Sequence, residues 1–213
     1  MRAFKSRVFA LAAICALVAL SASSALAGAY SVGAIGGFGA PMSDLKDVYG
    51  AGWNLGGQAD YNFAPMLGVG LDAGYHTWNA KNDVEAALAL LAMLAGAPAG
   101  TTVDVKLNAL QYGVHGTLTP PIVGPIHPYV QVGLSEYNMK ESITSNYPLL
   151  VGDISKTLLG YNAGAGVNFT MMPTLSLGID GRYHYVNSKD DFGANATWFD
   201  VNAKLTFHVP LAK

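Results

Sequence analysis

Apolar and polar residues alternate with a period of two over most of this chain. In residues 53–63 every second position is apolar or glycine, and the positions between carry Asn, Gly, Gln or Asp. The same alternation runs through 159–169, 175–185 and 199–209. A period of two is the signature of a β-strand whose two faces meet different surroundings. The chain is therefore predicted to be all-β.

Eight such segments can be placed, at 30–39, 50–63, 67–79, 103–118, 128–139, 157–169, 174–187 and 198–209. Most of them reach the ~9–11 residues that a tilted membrane strand needs. In the fourth segment the apolar positions change from odd numbers, up to Leu107, to even numbers, from Leu110 onward. A β-bulge near 108–109 is predicted to restore the phase. The fifth segment has a similar ambiguity after Leu134.

The connections between these segments alternate in length. Short links at 64–66 and 170–173 contrast with longer links after the first, third, fifth and seventh segments, and the longest runs from 80 to 102. Barrels of bacterial outer membranes combine short periplasmic turns with longer external loops. The predicted fold is an eight-stranded antiparallel up-and-down transmembrane β-barrel. The link at 119–127, with three prolines, is long for a periplasmic turn.

The amino-acid composition indicates whether such a barrel is surrounded by water or by lipid. Charged residues make up 12% of the chain, about half of the ~25% usual in soluble domains. No part of 28–213 has the ~20 continuous apolar residues of a membrane helix. In lipid, only helices and closed barrels pair all of their backbone polar groups. A charge-poor β-chain therefore favours a barrel that spans a membrane.

The residue types on the polar face indicate which side of the sheet points outward. A soluble barrel of the lipocalin type would alternate in the same way, with its apolar face inward. Here the polar face is rich in small residues such as Gly70, Gly74 and Gly164, which suit a narrow, curved lumen. Tyr and Trp gather toward the strand ends on the other face, as in the aromatic girdles of membrane barrels. The apolar face is therefore predicted to contact lipid.

The first 27 residues have the pattern of a secretory signal peptide, which leaves 28–213 as the barrel domain. Three cations precede an apolar run at 9–20, and an A-x-A cleavage site follows at 25–27. The one cysteine lies inside this segment, so the mature chain has neither disulfides nor a cysteine metal site. Nine of the 12 Lys and Arg then remain against 14 Asp and Glu, and the net charge changes from −2 to −5. This acidic balance excludes a nucleic-acid partner.

Ionisable side chains on the polar face are predicted to form a charge network inside the barrel. An eight-stranded barrel is just wide enough for side chains to fill it, and an unpaired buried charge is costly. Arg182 is expected to be the hub, pairing with Asp180 or with Asp72 and Asp60. The network residues are Asp60, Asp72, Asp180, Arg182, Asp200 and Lys204, joined by Asp104, Lys106, His76, His115, His184 and His208. The histidines lie on different strands without metal-ligand spacing, so no catalytic site, metal or cofactor is expected.

The longest loop carries a predicted helix at 83–96. Asn82 and Glu85 have the spacing of a capping box, and the residues that follow are almost all apolar. The helix is too short to span a bilayer. It is predicted to pack on the rim of its own barrel, and the alternatives are insertion in the outer leaflet, a plug in the barrel mouth or a docking site. Its candidate contacts for hydrophobic molecules are Leu88, Leu91, Met93 and Leu94.

The mature chain resembles the small outer-membrane barrels of the OmpA-like superfamily, with OmpW-like proteins next. The resemblance is carried by the signal peptide, the glycine-rich opening at 33–39 and the P-Y-V-x-x-G-[LIV] pattern at 128–134. The segment Leu118-Thr119-Pro120-Pro121 is similar to the OmpW-like turn. The resemblance implies an integral outer-membrane protein whose partners are lipid, lipopolysaccharide, the barrel-assembly machinery and periplasmic chaperones. The aromatic residue that usually ends such barrels is absent, and Phe207 stands six residues before the C-terminus.

Three functions remain in view. The resemblance implies a non-enzymatic structural or surface-interaction role with at most a narrow channel, since wide pores need 16–18 strands. An alternative is OmpW-like passage of small hydrophobic molecules past the loop helix. A lipid A-modifying enzyme is less favoured, because the outward face carries no cluster of Ser, His and acidic residues near the external rim.

Overall fold

The computed structural model describes residues 29–209. The predicted signal peptide at 1–27 therefore lies outside the described residues. The eight strands are β1 (Ala29–Met42), β2 (Gly52–Asn62), β3 (Leu67–Asn79), β4 (Val103–Leu118), β5 (Ile126–Ser145), β6 (Gly152–Met172), β7 (Leu175–Val186) and β8 (Ala196–Val209). The loops carry three helices, α1 (Leu45–Val48), α2 (Asn82–Leu94) and α3 (Lys189–Phe192), and a 3₁₀ turn (Pro148–Leu150).

The strands form one closed antiparallel barrel in chain order. β1 closes the sheet against β8, with Tyr30 opposite Val209 at one end and Met42 opposite Thr197 at the other. Closure pairs every strand on both sides and leaves no sheet edge. The predicted eight-stranded up-and-down fold is confirmed. The end with the short turns, 63–66, 119–125 and 173–174, is called the periplasmic end, and the opposite end is called the external end.

The two faces of the sheet are divided as predicted over most of the barrel. On β7, Leu177 and Ile179 point outward and are 45% and 68% exposed, whereas Ser176 and Asp180 point inward and are buried. The same distribution, the reverse of that in a soluble protein, holds around the barrel: the exposed residues are largely apolar and many buried ones are polar. Such an outer surface is suited to lipid rather than to water. Within residues 29–209, no helix has the length and apolar character needed to cross a membrane.

The predicted bulge in β4 is wrong. The register between β4 and β5 is continuous from Val103 opposite Ser145 to Leu118 opposite Val130, and the odd-numbered residues of β4 point inward throughout. A register shift lies instead at the periplasmic end of β6, between Thr170 and Met172.

Strand length explains the apparent change of phase. β4, β5 and β6 have 16, 20 and 21 residues, well beyond the ~9–11 that cross a membrane. The predicted β5 and β6 were too short at their external ends, because these ends extend past the lipid. There the apolar side of the sheet is the inner one, and Asp104 and Lys106 point outward and are exposed. The prediction that Asp104 and Lys106 lie inside the barrel is wrong for this reason.

An apolar core fills the external end of the barrel. The side chains inside it come from the external halves of the strands and from the loops, and the buried members are Tyr49, Trp78, Ala80, Ala89, Val103, Val105, Leu107, Ala109, Tyr137, Met139, Val186, Ala196 and Trp198. We call this group the external core.

Helix α2 packs on the rim of its own barrel, as the sequence analysis favoured. It runs from Asn82 to Leu94 rather than over 83–96, and no side chain caps its N-terminus. The predicted capping box is wrong, because the Glu85 carboxylate accepts a hydrogen bond from the Val105 N–H at 3.1 Å instead. The small side chains Ala89 and Ala92 are buried beneath the helix.

Candidate functional site

The lumen is the candidate functional site, since it gathers ionisable side chains from β2, β3, β4, β7 and β8. The structure buries five of the six predicted network residues inside the barrel, and Asp60 is half-buried near the periplasmic end. The strand alternation alone explains their position, because each occupies an inward register position. The predicted histidines also point inward, with His76, His115 and His184 buried and His208 half-buried at the periplasmic end.

His115 joins two carboxylates from neighbouring strands. Its Nε2 lies 2.7 Å from Asp60 Oδ1, and its Nδ1 lies 3.0 Å from Asp72 Oδ1. Only the doubly protonated ring has a donor on each nitrogen. This arrangement therefore suits an imidazolium that balances part of the charge of the two carboxylates.

Gln111 continues this chain toward the external end. Its Nε2 donates to Asp72 Oδ2 at 2.6 Å and to Ser135 Oγ at 3.1 Å. Its Oε1 lies 3.1 Å from His76 Nε2. The amide thus connects the acidic pair around His115 to the histidines nearer the external core.

Asp200 lies between two histidines. Its Oδ2 is 3.2 Å from His76 Nδ1 and 3.1 Å from His184 Nε2. These are close polar contacts rather than well-aligned hydrogen bonds, since neither ring nitrogen has hydrogen-bond geometry. His184 Nδ1 is 2.9 Å from the Tyr137 hydroxyl. A continuous chain of polar contacts therefore runs from Asp60 to Tyr137.

Arg182 pairs with Asp180, one of the partners predicted for it, but it is not the hub of the network. Its Nη2 lies 3.1 Å from Asp180 Oδ2, and Asn202 Nδ2 donates to Asp180 Oδ1 at 2.8 Å. Asp72 and Asp60, the other predicted partners, are held by His115 instead. Lys204 lies in the lumen but makes no ion pair within the described residues; its Nζ lies 4.7 Å from the centre of the Tyr129 ring.

The external core closes the lumen above this network. Trp78, Trp198 and Tyr137 are fully buried, and the Trp78 and Trp198 ring centroids are 5.1 Å apart. His184 stacks on Trp198 at 4.8 Å. The void between Asp72, Arg182 and Asp200 measures about 10 Å³, roughly the space of one water. The lumen is therefore filled at this level.

This aromatic closure was not among the features predicted from the sequence. Trp78 and Trp198 each stand two residues from an inward ionisable residue, His76 and Asp200. Their parity alone indicated an inward position. The signal was missed because aromatic residues near strand ends were assigned to the membrane interface.

A larger cavity occupies the periplasmic half of the lumen. Its volume is about 330 Å³. It is lined by polar side chains of seven strands and the adjoining turns: Ser31, Gln58, Asp60, Asn62, Thr117, Thr119, His127, Tyr129, Asn168, Thr170, Pro173, Ser176, Lys204, Thr206 and His208. We call it the periplasmic cavity.

The external ends of β4, β5 and β6, together with the loops at this end, are linked by side-chain hydrogen bonds, and we call this part the external extension. The Tyr49 hydroxyl donates to Glu141 Oε2 at 3.0 Å, and burial together with the Glu141 carboxylate raises the pKa of Tyr49. Asn146 links the loop after α2 to the hairpin between β5 and β6: it accepts from the Thr102 N–H at 2.9 Å and donates to the Gly100 carbonyl at 3.0 Å. These bonds fix the external loops to each other.

Helix α2 exposes the predicted contact leucines. Leu91 and Leu94 are 62% and 77% exposed, Leu88 is less exposed, and Met93 is half-buried. Among the described residues, no group of three or more His, Cys, Asp or Glu side chains is arranged to hold a metal ion. A Ser176–His208 pair, 2.8 Å between Oγ and Nε2, lies at the periplasmic end.

Comparison with known proteins places this barrel in a family. The outer membrane protein beta-barrel domain family matches residues 9–207. No curated protein sequence matches the chain significantly.

Solved structures of outer-membrane barrels resemble the chain in fold. The Neisserial surface protein A superposes with a TM-score of 0.51 at 18% identity, over 85% of this chain and 97% of that protein. A major outer membrane protein from Thermus thermophilus gives a TM-score of 0.56 at 16% identity, over 86% and 100%. The N-terminal barrel domain of Pseudomonas aeruginosa OprF gives 0.47 at 14% identity, over 85% and 97%. On the closed eight-stranded topology and the match over nearly its whole length, the chain belongs to the outer membrane protein β-barrel family.

Proposed function

We propose that this protein is a non-enzymatic barrel that displays a rigid surface outside the cell and passes no sizeable solute. The observation that carries the proposal is the external core, which fills the lumen between the external ends of the strands. A barrel that is plugged at its outer end is better suited to presenting a surface than to conducting.

The external extension supports a surface role. Its outward residues are polar in part, and Lys140 and Asp153 form an exposed ion pair at 2.8 Å. The loop after α2 is tied to the β5–β6 hairpin through Asn146. A pre-organised surface loses less conformational entropy when a partner binds.

A conductance measurement tests the closed lumen. Wild-type protein in a planar bilayer is expected to give no steps of the size made by a water-filled pore. Replacing Trp198 by Ala in the external core should introduce small conductance steps. The replacement of exposed Trp53 by Ala is the matched control and should stay silent. Steady wild-type conductance in a salt solution would contradict the closed lumen. Heat-modifiable migration on a gel would verify that each variant is folded.

The apolar belt and the last strand suggest the partners. We infer that the exposed aliphatic side chains around the barrel contact the acyl chains of phospholipid and lipopolysaccharide, and that the assembly machinery reads Phe207 of β8. Replacing Phe207 by Ser should slow assembly in cells more than replacing exposed Phe199 by Ser. Equal assembly of the two variants would argue against a role for Phe207.

A second candidate function rests on helix α2. Its exposed leucines form an apolar surface outside the barrel, which fits contact with small hydrophobic compounds on their way to the membrane. Replacing both Leu91 and Leu94 by Ser should reduce uptake of a hydrophobic dye into cells. The control is Leu149→Ser, which removes an exposed leucine from the β5–β6 tip. Unchanged uptake in the double variant would eliminate this function.

A further inference from the structure

The periplasmic cavity contains a buried cation, Lys204, that makes no ion-pair contact with a described carboxylate. Lys204 is only 6% exposed, yet no carboxylate among residues 29–209 lies within ion-pair distance of its Nζ. Its contact with the Tyr129 ring is a cation–π interaction at 4.7 Å. Such a contact offsets only part of the cost of burying an ammonium group. Lys204 therefore has unused capacity to bind an anion.

Among the described residues, Asp60 is the one acidic side chain in the cavity wall, and it is already engaged. Asp60 Oδ1 is 2.7 Å from His115 Nε2, and its Oδ2 accepts from Gln58 Nε2 at 2.8 Å and from Ser31 Oγ at 3.5 Å. These donors compensate much of the Asp60 charge. Asp60, like Asp180, therefore acts on Lys204 through longer-range attraction and not through a direct ion pair.

The remaining wall offers both donors and acceptors. His127 and His208 line the same cavity, and neither contacts a carboxylate within the described part of the chain. Three buried polar atoms have no hydrogen-bond partner within residues 29–209, and they are Thr206 Oγ1, Gln58 Oε1 and Asn168 Oδ1. Amide oxygens accept hydrogen bonds, so a ligand that satisfies them must carry donors as well as negative charge.

The depth of the cavity limits how a ligand can enter. Its inner end is sealed by Asp60 and His115 and then by the filled middle of the lumen, where the void measures about 10 Å³. The cavity volume of about 330 Å³ lies at the lower end of the ~300–1,000 Å³ range of small-molecule sites. The site is a dead end that is open only toward the periplasm.

We propose that the periplasmic cavity binds a small anion that carries hydroxyl groups, such as a sugar phosphate or a hydroxycarboxylate, through Lys204. The anionic group contacts the Lys204 ammonium, and the hydroxyl groups donate to Gln58 and Asn168. The ligand enters from and returns to the periplasm without crossing the barrel. The site is thus distinct from the external surface and does not depend on its role.

Calorimetric titration of the refolded protein tests this site. Glycerol 3-phosphate is the probe and glycerol the neutral control, in zwitterionic detergent at low salt because screening weakens exposed electrostatic contacts. Glycerol 3-phosphate should bind, and glycerol should not. Lys204→Met should weaken binding about tenfold or more, since a hydrogen bond to a charged group is lost. Lys106→Met, which removes an exposed cation from the outside of β4, should leave binding unchanged.

Two further measurements keep the result interpretable. Lys204→Arg keeps the charge and should retain most of the affinity, and heat-modifiable migration shows whether Lys204→Met has folded. Amide NMR shifts on adding glycerol 3-phosphate should concentrate near His127, Lys204 and His208. The proposal is overturned if glycerol 3-phosphate does not bind, if folded Lys204→Met binds as tightly as wild type, or if the shifts fall on the external loops.

Discussion

Close approach of large polar side chains to the lumen wall depends on individual glycines. A Cβ atom added at Gly70 would lie 2.6 Å from Asp60 Oδ1 and 2.6 Å from His115 Nε2. On the same strand, a Cβ added at Gly74 would meet no atom closer than 3.4 Å. Gly70 therefore provides the space in which His115 joins the two carboxylates.

This comparison gives a matched pair of variants. Gly70→Ala should lower the free energy of unfolding by about 1–3 kcal/mol, because an overpacked wall must displace the Asp60–His115 pair. Gly74→Ala should change it by less than about 1 kcal/mol, since the added methyl makes ordinary contacts. Urea unfolding in detergent micelles measures both. Equal stability of the two variants would show that the wall at Gly70 has room to relax.

Arg182 is predicted to matter mainly because of the carboxylate beside it. Arg182→Met removes the cation nearest to Asp180 and leaves a buried acid, so we expect a loss of about 3–5 kcal/mol in unfolding free energy. Adding Asp180→Asn to this variant should restore much of the loss, since the leftover charge is then gone. Thermal melting of the single and double variants is the measurement. A double variant no more stable than Arg182→Met alone would contradict this account.

For individual residues, the sequence indicated which side chains face the lumen but not which of them contact one another. Parity was sufficient to place Asp60, Asp72 and Arg182 inside. Pairing depends on the stagger of strands around the barrel, and His115 reaches Asp60 across 55 residues of sequence and past an intervening strand. No local pattern contains that information, so Arg182 was wrongly expected to be the hub.

At the level of the elements, β4 shows why the same alternation of side-chain direction can produce two opposite patterns of polarity. The inward positions of β4 carry His115 and Gln111 at the level of the lipid, and Leu107 and Val105 above it. Side-chain direction is unchanged along the strand, but water replaces lipid outside. The replacement of lipid by water outside the strand therefore produced the same sequence pattern as a β-bulge, which would turn the side chains to the other face of the sheet.

Helix α2 docks through its smallest side chains, which makes its attachment testable. Ala89 is buried in the external core, whereas Ala87 lies on the exposed side of the helix. Ala89→Leu should push the helix from the rim and make the loop at 95–102 cleavable by protease at lower concentrations. Ala87→Leu should leave the cleavage pattern unchanged. Identical patterns for both variants would mean that the alanine face does not hold the helix.

Across the whole molecule, the lumen is divided into three levels with different contents. The external level is apolar and closed, the middle level is a polar chain from Asp60 to Tyr137, and the periplasmic level is a cavity of about 330 Å³. The overall fold was accessible from the sequence because strand period, strand count and loop lengths agreed with one another. The three levels of the lumen could not be predicted from the sequence, since they arise from residues that are distant in sequence and meet only after the barrel closes.

The outward apolar belt leads to a prediction about where the protein meets lipid. Ile179 is 68% exposed near the middle of β7, and Leu149 is 80% exposed at the external tip. If lipid surrounds the first and water the second, Ile179→Lys should cost about 2–4 kcal/mol of folding free energy in vesicles, as lysine does near a bilayer midplane. Leu149→Lys should cost almost nothing, because the new charge remains hydrated. Reversible urea titration in phospholipid vesicles, followed by tryptophan fluorescence, separates the two. An equal effect at both positions would mean that the apolar side chains of β7 do not face a bilayer, because only a lipid boundary between the two sites makes one lysine costly and the other neutral.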